Sequence, residues 1–331
     1  MKLGLVSAIL DKSSFEEVID LASDIGYECV ELACWPRGKA ERRYAGVTHL
    51  DVVNTSLDEA KQKLIYAKNR NVEISSLAYY PNTLDPDLEV RALHINHLMK
   101  LIDMSSDLGV GMVTTFVGRD QNKTIEQNLE IFYEVWKPIV EYALDKNVKI
   151  AIENCPMLFT ADQWPGGQNL ATTPAIWRRM FELIPYGNFG LNYDPSHFVW
   201  QHIDYIKPIY EFKDRIFHVH FKDIKIYIDK LNDHGVMAYP LEYMSPKLPG
   251  LGDVNWGKYV SALSDINYDG YACIEIEDKA FEGNDELVKK SILLSYNYRN
   301  GARKPKPSLL GFSRGMNGAC AAKYVVVRMT Q

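Results

Sequence analysis

Short apolar runs alternate with longer amphipathic stretches along nearly the whole chain. Residues 3–7, 28–32, 72–78, 111–116, 148–152, 189–193, 216–220 and 271–276 are brief and almost continuously apolar, the pattern of strands buried on both faces. Between them, start and stop signals predict helices. The first opens at Ser13 or Ser14, carries Glu16 and Glu17 in its first turn and ends at Gly26. Others are predicted over 57–71, 88–108, 124–145, 174–183 (with Pro174 in the first turn), 203–212, 256–266 and 286–296. Eight strand–helix repeats imply a parallel sheet covered by helices, and eight suit a closed (β/α)8 TIM barrel better than an open doubly wound sheet. The expectation is a single α/β domain over residues 1–300. Its long loops follow strands two (33–56), five (154–172) and seven (223–255), all at the carboxyl face where barrels keep their sites. No Gly-x-Gly-x-x-Gly and no Gly-Lys-Ser/Thr loop supports a nucleotide fold.

Composition narrows the classes. The 331 residues are 47% hydrophobic and 24% charged, the balance of a soluble globular protein. A formal charge of −6 gives no general attraction to nucleic acid or anionic membranes. Residues 301–331 depart from the rest: Arg303, Lys304, Lys306, Arg314, Lys323 and Arg328 occur with no acid among them, the first three inside a proline-interrupted linker. They read as an irregular, flexible basic tail, which leaves the barrel itself more acidic than the whole. Cys29, Cys34, Cys155, Cys273 and Cys320 are scattered, with no Cys-x-x-Cys pair, as expected of reduced thiols in the cytoplasm. The amino-terminal apolar run is a first strand rather than a signal peptide, and no run approaches the roughly 20 residues of a membrane helix.

The chemistry is carried by where acids and histidines fall. Strand five ends in Ile152-Glu153-Asn154, and strand six in Asn192-Tyr193-Asp194-Pro195-Ser196-His197. Strand seven ends in His218-Val219-His220-Phe221-Lys222-Asp223, and strand eight in Ile274-Glu275-Ile276-Glu277-Asp278. Four consecutive strands thus deliver an ionisable group to one rim. Carboxylates crowded there would repel and raise each other's pKa, a conflict that a divalent cation resolves. A carboxylate-plus-imidazole set suits manganese, cobalt, magnesium or zinc without choosing among them.

These motifs, with Glu31-Leu32-Ala33-Cys34-Trp35 and Leu248-Pro249-Gly250-Leu251-Gly252-Asp253, resemble the xylose-isomerase-like barrel superfamily, in particular its sugar phosphate isomerase/epimerase group. Each piece is weak alone, but the ordered set, one per strand end, is specific. The resemblance runs from about Lys2 to about Asn300. It implies one divalent ion held by Glu153, Asp194, His220 and Glu275, and a substrate-contacting histidine at His197. His218 shares a strand face with His220 but sits farther from the rim, and so is expected to pack behind it. Glu277 is the rival of Glu275, and the family pattern favours Glu275. Lys222 is expected to touch a substrate oxygen or else pair with Asp223. Glu31 is expected to hold a histidine or a substrate hydroxyl. Trp35, Tyr79, Tyr80, Trp164 and Trp200 are available to stack on sugar faces. His49, His94 and His97 are read as surface or packing residues.

The implied activity is isomerisation or epimerisation of a small carbohydrate, with Glu153 and Glu275 as proton-transferring bases on opposite faces of a metal-stabilised enediolate. The same site could instead eliminate a group from a keto-sugar or keto-inositol, as a dehydratase or lyase. A three-zinc DNA-repair endonuclease on this barrel would need histidines at the ends of strands three and four, which read Tyr79-Tyr80 and Phe116-Val117. A sugar-binding barrel without catalysis would not need four ligands. Relatives of this kind are commonly homodimers or homotetramers.

Overall fold

The computed structural model describes residues 1–38, 44–157 and 166–300. The tail at 301–331 and Trp164 lie outside the described residues. The barrel strands are β1 (Lys2–Val6), β2 (Cys29–Ala33), β3 (Glu73–Ala78), β4 (Met112–Thr115), β5 (Lys149–Glu153), β6 (Phe189–Tyr193), β7 (Ile216–Phe221) and β10 (Tyr271–Ile274). They close in the order β1-β10-β7-β6-β5-β4-β3-β2, every neighbouring pair parallel. This is the TIM barrel expected from eight repeats. Helices α1 (Phe15–Ile25), α2 (Leu57–Asn69), α3 (Leu88–Asp107), α4 (Ile125–Asp145), α5 (Pro174–Leu183), α9 (Trp256–Asp265) and α10 (Asp285–Asn300) follow their strands.

The helices begin where side chains can satisfy orphan N–H groups. Ser14 with Glu17, Ser56 with Glu59 and Thr124 with Gln127 form reciprocal capping boxes on α1, α2 and α4, and Gly26 ends α1 in the left-handed conformation. The helices bury their apolar faces on the sheet. Trp136, Phe132 and Phe189 pack together at one point of that layer, and Trp177, Tyr193 and Phe198 at another. Among the described residues, no helix is long and apolar enough to cross a membrane.

Three segments differ from the sequence reading. The stretch after β7 is not a bare loop. It forms an antiparallel hairpin of β8 (Asp223–Ile226) and β9 (Met244–Lys247), with helix α8 (Ile228–His234) between them. The helix expected over 203–212 is reduced to α7 (Lys207–Glu211), because Asp204 turns the chain by accepting from the N–H groups of Ile206 and Lys207. A further turn of helix, α6 (Ser196–Val199), follows β6 directly.

Asp223 organises the hairpin. Its buried carboxylate accepts from the N–H groups of Ile224, Gly250 and Val254 at 2.8–3.1 Å and from the Trp256 indole N–H at 2.9 Å. Burial nonetheless keeps its pKa above the ordinary value. A side chain at Gly252 would collide with this carboxylate, so glycine is required there. The 248–254 turn is thereby pinned over the carboxyl end of β7.

Candidate active site at the carboxyl rim

Glu153 is the last residue of β5, His220 the fifth of β7, and Asp194 and Glu275 follow β6 and β10 by one residue. Barrel closure therefore brings side chains from four neighbouring strands to one point. One atom from each of Glu153, Asp194, His220 and Glu275 falls within 4.8 Å of the others. His220 Nδ1 lies 3.1 Å from Glu275 Oε2 and 3.6 Å from Glu153 Oε1. His197, on α6, reaches the same point, its Nε2 being 3.2 Å from Asp194 Oδ2 and 3.4 Å from Glu153 Oε1.

His220 and Asp194 are each backed by partners on the outer side. The Glu31 carboxylate, on β2 across the barrel, accepts from His220 Nε2 at 2.9 Å and from the Tyr80 hydroxyl at 2.6 Å. A carboxylate only accepts, so Nε2 carries a proton, which leaves Nδ1 as the nitrogen that faces inward. The Asn192 amide nitrogen, 3.0 Å from the same Nε2, is then a packing neighbour rather than a donor to it. Asp194 is clamped by Asn154, whose amide both accepts from its N–H and donates to its carbonyl, at 2.8 Å each. Asp194 Oδ1 caps the Ser196 N–H at 2.8 Å, so one oxygen shapes the turn while the other faces the centre.

Five buried atoms here lack a hydrogen-bond partner: Glu153 Oε1, Asp194 Oδ2, His197 Nε2, His220 Nδ1 and Glu275 Oε2. Folded proteins in general satisfy nearly all their buried polar atoms, and leaving one unpaired costs about 1–3 kcal/mol. Several such atoms converging, three of them carboxylate oxygens, fit a divalent cation by donor chemistry and spacing.

The surroundings are strongly acidic. Burial alone would raise the Glu153 pKa, yet His197 and His220 outweigh it and hold this carboxyl below the usual range. Burial would lower His220, but Glu31, Glu153 and Glu275 push it well above an ordinary histidine. Lys222, also buried, is raised by Glu275 and Glu277, to which its ammonium binds at 3.0 and 2.7 Å. Its partners are those two acids and not Asp223, which is occupied with the hairpin.

The remaining expected positions separate. Glu31 is fully buried, and the bonds it makes are to His220 and Tyr80. His218 is also buried, donating from Nδ1 to Asn192 Oδ1 at 2.9 Å and meeting Ser75 Oγ at 3.2 Å. Trp35 packs edge-on against Tyr79 and lines a separate cavity of about 610 Å³ with Arg37, His94 and Lys100, among whose lining residues none of the four converging side chains appears. Tyr80, Asn154 and Asn192 were not singled out for the parts they play. A buried asparagine within or just past an apolar strand was the available signal.

The family described as the xylose isomerase-like TIM barrel matches residues 19–298, and the chain belongs to that family. It is 25% identical to the uncharacterized protein YfiH of Bacillus subtilis, over 84% of this chain and 93% of that one. It is 26% identical to an inosose dehydratase of Clostridium tetani, over 61% of this chain and 68% of that one. A D-psicose 3-epimerase from Clostridium cellulolyticum, solved with D-tagatose, superposes with a TM-score of 0.67 over 91% of this chain and 98% of its own, at 14% identity. That last likeness is one of fold.

Proposed function

We propose that this protein is a divalent-metal-dependent enzyme that isomerises or epimerises a small sugar or keto-sugar by moving a proton beside a carbonyl. The convergence of five unsatisfied buried donor atoms carries this reading. In it, Glu153, Asp194, His220 and Glu275 hold the ion, one of manganese, cobalt, magnesium or zinc. The ion would polarise the carbonyl and hydroxyl oxygens of a bound substrate.

The two glutamates flank His220 Nδ1, which suits them to opposite faces of the substrate. Glu153 takes the proton from the carbon next to the carbonyl. Return by Glu275 to the other face inverts that carbon, and return to the neighbouring carbon moves the carbonyl. His197 and Lys222, both buried cation donors at the rim, hold the oxygens that gain negative charge. Glu31 serves by fixing the His220 tautomer rather than by touching substrate.

A second reading shares the first step. If a hydroxyl lies beta to the carbonyl, His197 or Lys222 can protonate it as it leaves, giving dehydration. The likeness to an inosose dehydratase favours keeping it. Incubation with a panel of ketoses and keto-inositols in heavy water, followed by NMR, tests both. Deuterium at the carbon next to the carbonyl is expected, lost in Glu153→Gln and Glu275→Gln. Full exchange in either variant removes that residue as a base, and an unsaturated product selects dehydration.

A further inference from the structure

Arg119 follows β4 and is held rigidly by its backbone. Gly118 before it adopts φ +87°, and a side chain there would strike Asn82, Thr83 and Leu84. Asn82 Oδ1 accepts from the Arg119 N–H at 2.8 Å, and Asn82 Nδ2 donates to the Arg119 carbonyl at 2.9 Å. The guanidinium is treated differently. It is half-buried and donates to one carbonyl, that of Gly166, at 2.7 Å. Its Nε is buried without an acceptor, and among the described residues no carboxylate pairs with it. Burial pushes its pKa down from the ordinary arginine value, but a guanidinium stays charged.

The contrast with Arg215 is informative. Arg215 is partly buried too, yet its guanidinium donates to the carbonyls of Pro185, Tyr186 and Phe189, and so serves the fold. Arg119 keeps donor capacity to spare. It lines a cavity of about 260 Å³ with Pro156, Thr172, Trp200, Gln201 and Tyr243, and among the described residues no Asp or Glu contributes to the wall. The described lining is thus free of acids in a chain of net charge −6. Two lining residues tie it to the converging groups: Pro156 is three residues beyond Glu153, and Gln201 Nε2 donates to the His197 carbonyl at 2.6 Å.

We propose that the Arg119 cavity is an oxyanion subsite, taking a carboxylate or phosphate group of the substrate whose reacting carbons lie at Glu153 and Glu275. The planar fork of arginine suits two oxygens of either group, and an anion would supply the countercharge that no described residue gives. Trp200, Tyr243 and Pro156 give the walls that shield the pair from water. That the anion is part of the substrate rests on the function proposed above, whereas anion binding at Arg119 does not. The substrate class then narrows to acidic or phosphorylated sugars.

Titration calorimetry of the full chain with inorganic phosphate and, separately, with acetate tests this. Wild type is expected to bind at least one of them, and Arg119→Gln to bind it about tenfold or more weakly while keeping the wild-type metal content by mass spectrometry. Glu153→Gln, expected to lose metal, should keep the Arg119-dependent binding. Phosphate preference points to a phosphorylated sugar and acetate preference to a sugar acid. Equal affinity in wild type and Arg119→Gln, or no binding of either anion to wild type, overturns the subsite. If Arg119→Gln does not fold, Arg119→Lys keeps the charge but loses the paired donors. It must then weaken binding several-fold, and unchanged affinity overturns the proposal. Arg119-dependent binding in a chain that takes up no metal removes the proposed function but not the subsite. Metal uptake with Arg119-independent binding does the reverse.

Discussion

Replacing Glu153 by glutamine keeps the size of the side chain and removes one charge from the converging set. If Glu153 Oε1, Asp194 Oδ2, His220 Nδ1 and Glu275 Oε2 hold a divalent ion, the folded chain gains stability from that ion by mass action. At a free metal concentration a hundred times the dissociation constant the gain is about 2.7 kcal/mol. For a chain of this length 1 kcal/mol corresponds to about 2 °C in Tm, so the expected rise is about 5 °C. If Glu153→Gln weakens the site a hundredfold, the same addition contributes about 0.4 kcal/mol, or about 1 °C. Differential scanning calorimetry with and without manganese or zinc, after chelator treatment, measures both. His218→Gln is the comparison, since His218 sits two residues from His220 but bonds to Asn192 and Ser75 instead. It is expected to lower the starting Tm and keep the metal-dependent rise. A rise of equal size in wild type and Glu153→Gln, or its loss in His218→Gln alone, would refute the assignment of ligands.

Three further outcomes follow from the bonds around the site. Glu31→Gln removes the carboxylate that accepts from His220 Nε2 and is expected to weaken metal affinity about 10–100-fold, measured by competition with a chromogenic chelator; unchanged affinity would contradict the positioning role. Asp223→Ala leaves three backbone N–H groups and the Trp256 indole without their acceptor, so urea denaturation should show a loss of about 3 kcal/mol or more, and a loss under about 1 kcal/mol would show the hairpin to be held otherwise. Buried His49 sits between Ser7 Oγ and the Leu10 carbonyl, and burial lowers its pKa below the ordinary value of about 6.5. The unfolded chain therefore binds more protons than the folded one just below that value, so this contribution to stability is complete above pH about 6.5 and is lost as pH falls through the folded pKa. Urea midpoints from pH 7.5 to 5 should fall less steeply in His49→Gln than in wild type, and parallel curves would exclude His49 as a source.

The barrel was legible because eight buried strands must each be brief and apolar, and because capping residues such as Ser14, Ser56 and Thr124 mark where helices open. The 223–255 stretch was not. Its hairpin strands are four residues each, the second contains Pro246, and what pins the turn beside them is a side chain, Asp223, bonding to residues some 30 positions away. Local pattern carries no trace of such a bond. The shortened helix before β7 failed for a related reason, since Asp204 competes with the helix for the N–H groups of Ile206 and Lys207.

The same division runs through the site. A carboxylate just past an apolar strand is visible in sequence, because nothing in a buried strand explains it, and barrel closure then makes four such ends neighbours. The residues that orient them are reached only through the closed sheet. Glu31 stands 189 residues from the His220 it holds, and Tyr80 49 residues from Glu31. Arg119 is harder still, because an arginine after a strand looks like a solvated charge until its surroundings are known. What distinguishes it is that its Nε is buried while no described acid answers it. An arginine used by the fold, as Arg215 is, spends its donors on backbone carbonyls. One that keeps donors unspent, on the rim where four strands present unsatisfied oxygens and nitrogens, leaves room for a charge that no described residue provides. In the proposed reading, metal uptake and anion binding are therefore separable demands of one rim, one set by Glu153, Asp194, His220 and Glu275, the other by Arg119.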